Sequence, residues 1–124
     1  MRAHPLFMAL ITFATADAAM AGDAPGPIAE IVTYRVKDGI TTAEALKAAR
    51  QTEPFLATTG AVLSRSLSRD DRGIWTDYIL WSSLAAAKAT EAQAMQRPEF
   101  ATFFGMIAEG SAQLRYAPVV FQMD

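Results

Sequence analysis

Glu30 and Tyr34 stand four residues apart in a run of β-branched and aromatic residues, so the two-residue period of a strand places both on one face. A carboxylate and a phenol on a common surface can pass or hold a proton. Arg65 and Asp77 occupy two neighbouring segments and contribute a fixed positive charge and a second carboxylate, while Trp81, Phe103 and Phe104 supply aromatic walls. These seven are the candidate ligand-binding residues. Donors, charges and aromatic walls of this kind can line a pocket for a small molecule. The pattern assigns no catalytic residue among them.

Each candidate also has a plainer reading. Phe100, Phe103, Phe104 and Ile107 fall at helical spacing and read first as core. Trp75 and Trp81 read as core or interface residues before they read as participants in radical chemistry. Arg65 and Asp77, on adjacent strands, are expected to pair with each other across the sheet. Glu30, among apolar strand neighbours, must be paired, protonated or exposed at the strand start; exposure is the simplest, and only protonation would make it a base with a raised pKa. Arg69-Asp70-Asp71-Arg72 reads as a solvated turn.

Composition excludes more than it assigns. The sole histidine is His4, and the 124 residues contain no cysteine and no asparagine. Met1-Arg2 gives a positive start, Pro5 to Ala16 an uncharged apolar run, and Ala16-Asp17-Ala18 and Ala19-Met20-Ala21 both fit signal-peptidase sites. Residues 1–21 are therefore expected to be a signal peptide cut after Ala21, residues 22–27 a linker, and residues 28–122 one domain, periplasmic or secreted and free of the membrane once cut. Loss of the leader removes His4, and with it the usual ligands for zinc, copper, non-haem iron and haem, together with the commonest general base. Ser-His-acid and cysteine-nucleophile mechanisms are excluded. No phosphate-binding glycine loop is present. Removing Arg2 and Asp17 with the leader keeps the net charge at −2, a balance that gives no reason to expect nucleic acid as a partner. No metal and no cofactor are expected.

Six elements must position the candidates. Ile28 to Lys37 reads as a strand ending at Asp38-Gly39. Thr41 with Glu44 makes a capping box for a helix running to about Thr58, with Leu46, Ala49, Glu53 and Leu56 along one side and a kink near Pro54. Ala61 to Ser68 and Ile74 to Trp81 form a hairpin. Ser82 or Ser83 caps an alanine-rich helix, Pro98 starts a new helical turn, Gly110 ends it, and Gln113 to Gln122 supplies the last strand, where Pro118 tolerates only an edge or an unpaired position. The βαββαβ order predicts an α+β, ferredoxin-like domain with a four-stranded antiparallel sheet and the helices on one face. Apolar residues on both faces of the first and third strands predict that a second sheet, from another copy of the chain, covers the other face. A one-residue change of register would exchange Trp75, Asp77 and Trp81 for Thr76, Tyr78 and Leu80 at the pocket.

The strand end Tyr78-Ile79-Leu80-Trp81-Ser82-Ser83, the alanine-rich helix and the Pro98-Glu99-Phe100 step with Phe103-Phe104 resemble the antibiotic biosynthesis monooxygenase family of the dimeric α/β-barrel superfamily, over Ile28 to Val120. The resemblance implies a homodimer whose two sheets close into a barrel, with one pocket per subunit. It does not imply one reaction. Haem-degrading members pair a strand Asn with a Trp and a His, whereas the corresponding positions here are Val32 and Phe104 and the second helix has no Trp; that role and the histidine-ligated haem branches do not fit. The nearest remaining model is a cofactor-independent oxygenase, in which a deprotonated phenol or quinol passes an electron to dioxygen and the radical pair recombines. The alternative is a non-catalytic homodimer that binds an apolar molecule or fills its pocket with its own side chains.

Overall fold

The computed structural model describes residues 26–123, and its organising element is β1 (Ile28–Tyr34). The expected signal peptide, 1–21, and linker residues 22–25 lie outside the described residues. β1 pairs antiparallel with β3 (Trp75–Trp81) on one side and β4 (Gln113–Pro118) on the other, and β2 (Val62–Arg69) completes the order β2-β3-β1-β4. Four helical segments connect them: α1 (Thr42–Gln51), α2 (Glu53–Thr58), α3 (Leu84–Ala94) and α4 (Pro98–Gly105). This is the ferredoxin-like α+β layout, with an antiparallel sheet throughout. Among the described residues no helix is long and apolar enough to cross a membrane.

Local chemistry fixes the element ends. The Glu44 amide donates to Thr41 Oγ1 at 3.1 Å and the Thr41 amide to Glu44 Oε1 at 2.9 Å, closing both arms of the capping box of α1. The single helix expected from Thr41 to Thr58 is in fact two. Pro54 has no amide to continue the ladder, so α1 stops at Gln51 and α2 restarts beyond Thr52 with the proline in its first turn. The buried face of α1 is Ala45, Ala48 and Ala49, with Leu46 only half-buried and Glu53 exposed. Ser83 rather than Ser82 caps α3, accepting from the Ala86 amide at 3.1 Å. Arg97 is extended, as the residue before a proline prefers, and α4 begins at Pro98.

Two strands are shorter than expected. β1 ends at Tyr34 because the backbone beyond it bonds to the segment after α4: the Ala108 amide donates to the Arg35 carbonyl and the Lys37 amide to the Met106 carbonyl, both at 2.8 Å. Val36 keeps only an isolated bridge to Ile107. β4 ends at Pro118, which cannot donate to a ladder. The hairpin tip is as read, with Asp70 Oδ1 accepting from the Arg72 and Ile74 amides and Gly73 at φ 84°.

The pairing settles which side chains meet the helices. Tyr34 faces Trp75 across the ladder and Val32 faces Asp77, so Glu30, Val32 and Tyr34 share the helix side with Trp75, Asp77, Ile79 and Trp81. Thr76, Tyr78 and Leu80 take the opposite face, where Tyr78 is 40% exposed. Two apolar clusters lie under the helices, one around Ile28, Ile79, Trp81, Ala87 and Phe100, the other around Tyr34, Trp75, Ala48 and Phe103. Phe104 packs against both.

Candidate functional site

Between the two clusters the sheet and helices leave a cavity of about 90 Å³. Its walls are predominantly apolar, and all seven candidates, Glu30, Tyr34, Arg65, Asp77, Trp81, Phe103 and Phe104, line it. β1 sets its length: Glu30 and Tyr34 are four residues apart on one face, so their Cα atoms stand about 13 Å apart along the strand. Polar groups gather at these two ends.

At the Tyr34 end, Arg65 and Asp77 form a bidentate pair, Nε to Oδ1 at 3.0 Å and Nη2 to Oδ2 at 2.7 Å. The same guanidinium donates to Thr52 Oγ1 at 2.8 Å, and Thr52 in turn donates to the Ala49 carbonyl at 2.6 Å. The cross-strand pairing expected for Arg65 and Asp77 is thus present, tied to the break between α1 and α2. Burial by itself would lower the Arg65 pKa, but the hydrogen bond and charge of Asp77 outweigh it and the guanidinium is held charged. Arg65 lies over the Phe103 ring at 5.7 Å. Tyr34 stacks on Trp75 with centroids 6.3 Å apart and meets Phe103 edge-on at 6.1 Å. Its phenol is pushed up by burial and by the Asp77 charge, and its hydroxyl has no hydrogen-bond partner among the described residues.

The other end is a carboxyl pair. Glu30 is 6% exposed, which overturns the expectation that it escapes burial at the strand start. Trp81 Nε1 donates to Glu30 Oε1 at 2.7 Å. Glu91, on α3, lies near enough to Glu30 for the two carboxyls to raise one another's cost of ionisation, and it accepts a hydrogen bond from the Tyr116 hydroxyl on β4. Burial, reinforced by the Glu91 charge, raises the Glu30 pKa to about 8 against the pull of the Trp81 N–H. Burial also raises Glu91, opposed by Tyr116 and by Lys88, whose ammonium sits 4.6 Å above the Tyr116 ring. Tyr116 itself is raised by burial and by both carboxyls, so it remains a donor. Two coupled carboxyls of this kind titrate as a pair, and the proton on Glu30 is held up into the neutral range.

Glu91, Tyr116, Thr52 and Thr90 were not read as site residues from the sequence. For Glu91 a signal exists: Leu84, Ala87, Glu91 and Ala94 repeat at the three-and-four spacing of a buried helical stripe, so a carboxylate interrupts a core face. Tyr116 alternates with Leu114 on the covered face of β4, which places it inside but does not reveal its partner.

A structure from Caulobacter crescentus CB15, provisionally named an antibiotic biosynthesis monooxygenase, superposes with a TM-score of 0.65 at 21% identity, over 78% of this chain and 92% of that one. SnoaB, a cofactor-independent oxygenase from Streptomyces nogalater, matches with a TM-score of 0.66 at 13% identity, over 79% of this chain and 97% of that one. This chain has the antibiotic biosynthesis monooxygenase fold. A further monooxygenase-fold structure, from Bordetella bronchiseptica and provisionally named in the same way, matches with a TM-score of 0.65 at 20% identity, over 77% of this chain and 99% of that one. No protein-family model matches the sequence and no curated protein matches it significantly. Within the monooxygenase fold the cavity described above lies between the sheet and the helices, and its polar ends are built from this chain's own residues.

Proposed function

We propose that the domain is a cofactor-independent monooxygenase acting on a small aromatic substrate, a single-ring phenol or quinol. The observation that carries this reading is the cavity itself: apolar and aromatic walls closed at each end by buried polar groups, with the Arg65 charge and the Tyr34 hydroxyl at one end to hold a substrate oxygen. The likeness to SnoaB, a cofactor-independent oxygenase, supports the reaction class. In such a reaction the phenolate gives an electron to dioxygen, the radical pair joins at a ring carbon, and the peroxide loses water to leave a quinone. One oxygen atom ends in the ring carbonyl and the other in water. The substrate supplies all the electrons, so no external reductant enters.

Size limits the substrate. The cavity, at about 90 Å³, is smaller than the roughly 150 Å³ apolar cavities that take up benzene. A ring therefore enters only when a wall gives way, and the half-buried Met95, with its flexible thioether, is suited to do so. The reading includes a homodimer closed over the bare sheet face and export by the leader.

The test is direct: mature protein incubated with a panel of phenols and hydroquinones under oxygen should consume substrate and oxygen and yield quinone, against a heat-killed control. No consumption across the panel would count against the enzyme. A second reading, a non-catalytic homodimer that binds an apolar small molecule or fills its own pocket, draws support from the mutual satisfaction of Arg65 and Asp77, which leaves neither needing a ligand. It expects a copurifying ligand or no turnover.

A further inference from the structure

Two carboxyls in an otherwise apolar wall are costly to bury, and the fold gives each of them one side-chain donor. Glu30 comes from β1, inside the sheet, and Glu91 from a helix whose buried residues are Leu84, Ala87, Thr90 and Ala94. Both line the cavity, and Glu30 takes the Trp81 N–H while Glu91 takes the Tyr116 hydroxyl. The groups facing them from every packed element leave their charge in place. Asp77, on β3, is already matched by Arg65 from β2; Lys88, on α3, attracts Glu91 from beyond the Tyr116 ring; Tyr34 and Tyr116 remain neutral. Two carboxyls thus stand at this end of an apolar cavity, with no salt bridge to either among the described residues. An independent feature points to a ligand at the opposite end, where the Tyr34 hydroxyl, in a residue only 3% exposed, lines the cavity without a hydrogen-bond partner among the described residues. A molecule that satisfies both ends offers a donor to the carboxyl pair and an acceptor to Tyr34.

Resting on the monooxygenase reading, we infer that the Glu30–Glu91 pair is the base of the reaction and that the substrate is a ring with oxygens at opposite ends, a para-quinol. The quinol O–H breaks and a new O–H forms on the carboxylate oxygen of the pair, so the pair becomes doubly protonated. The negative charge moves to the quinol oxygen and the total charge of the cavity does not change. A lone buried carboxylate would carry the same charge, but without a partner to share its proton it would be costlier to keep ionised before substrate arrives. After the electron transfer the pair returns its proton to the peroxide.

4-Nitrophenol is a suitable probe, because it has a hydroxyl at one end, acceptor oxygens at the other and a phenolate band distinct from that of the neutral form; 4-nitroanisole matches its shape without the proton. On the mature wild-type chain, at a pH where free 4-nitrophenol is neutral, the bound probe should shift toward the phenolate band. In Glu91→Gln, where a carboxamide oxygen still accepts from Tyr116, both probes should bind and the phenolate band should be lost. If wild type binds both probes and leaves nitrophenol neutral, or if Glu91→Gln retains the band, the base assignment is overturned while the cavity reading stands. If neither probe binds to wild type, the cavity reading fails and this inference with it. Glutamate side-chain NMR on ligand-free protein decides the pairing separately: Glu30 and Glu91 should titrate in coupled steps, the step of Glu30 moving in Glu91→Gln, and two independent titrations in the ordinary carboxylate range would overturn it.

Discussion

Asp77 is worth more to the protein as the partner of Arg65 than as a carboxylate in a cavity. Both side chains are largely buried, and replacing Asp77 by Ala leaves a guanidinium with one side-chain acceptor, Thr52. Breaking a buried pair in this way costs about 3–5 kcal/mol, whereas Thr52→Val, which removes a hydroxyl donor and acceptor, should cost about 1–3 kcal/mol; urea unfolding of the two variants gives the order. Glu30 sets a pH dependence of the opposite kind from a salt-bridged acid. Its pKa is raised in the folded chain, from 4.5 to about 8, so the folded state binds more protons than the unfolded one between those values. Stability from this group is therefore full below pH 4.5 and is lost as pH rises toward 8, with a slope approaching 1.4 kcal/mol per unit. Glu30→Gln should flatten the profile over that window, and an unchanged slope would show that Glu30 titrates normally. The even spacing of Glu30 and Tyr34 was legible because strand periodicity is local. The burial of Glu30 was not, since it depends on Glu91 and Tyr116, far along the chain, closing over it.

At the scale of elements, small residues decide how closely the helices approach the sheet. Ala87 has no exposed surface, while Ala85 on the same helix is exposed. Ala87→Leu should destabilise by about 1–3 kcal/mol through overpacking, and Ala85→Leu should stay within about 0.5 kcal/mol; thermal melts of the pair isolate packing from helix propensity. Equal melting temperatures would mean that α3 shifts freely on the sheet. Capping and turn signals read well from sequence because their bonds are local: Thr41 with Glu44, Ser83, Pro98, and Asp70 at the hairpin. The ends of β1 and the long first helix read less well. Val36 and Lys37 have the composition of a strand, yet their backbone bonds go to the segment after α4, a choice that no local pattern records.

The molecule as a whole has more apolar surface than its own helices cover. The sheet face opposite them carries Ile31 on β1 and Tyr78 on β3, neither fully buried, beside the buried Ala29 and Leu80, and the chain beyond β4 presents Val120, Phe121 and Met123 at 96%, 81% and 84% exposure. Apolar surface of this kind on a small domain is suited to association, and the proposed symmetric dimer would cover it using the same residues twice. The edge strand β2 carries a bulge between Val62 and Ser64, which disfavours addition of another strand along that edge. Sedimentation of the chain without residues 1–21 should give twice its own mass at micromolar concentration. Ile31→Lys, at the centre of the bare face, should shift that equilibrium to the monomer while leaving the helix-side cavity intact, because Ile31 points away from it. A wild-type chain that sediments as a monomer at tens of micromolar would remove the dimer. A monomeric Ile31→Lys that still bound nitrophenol would show that each cavity is complete within one chain.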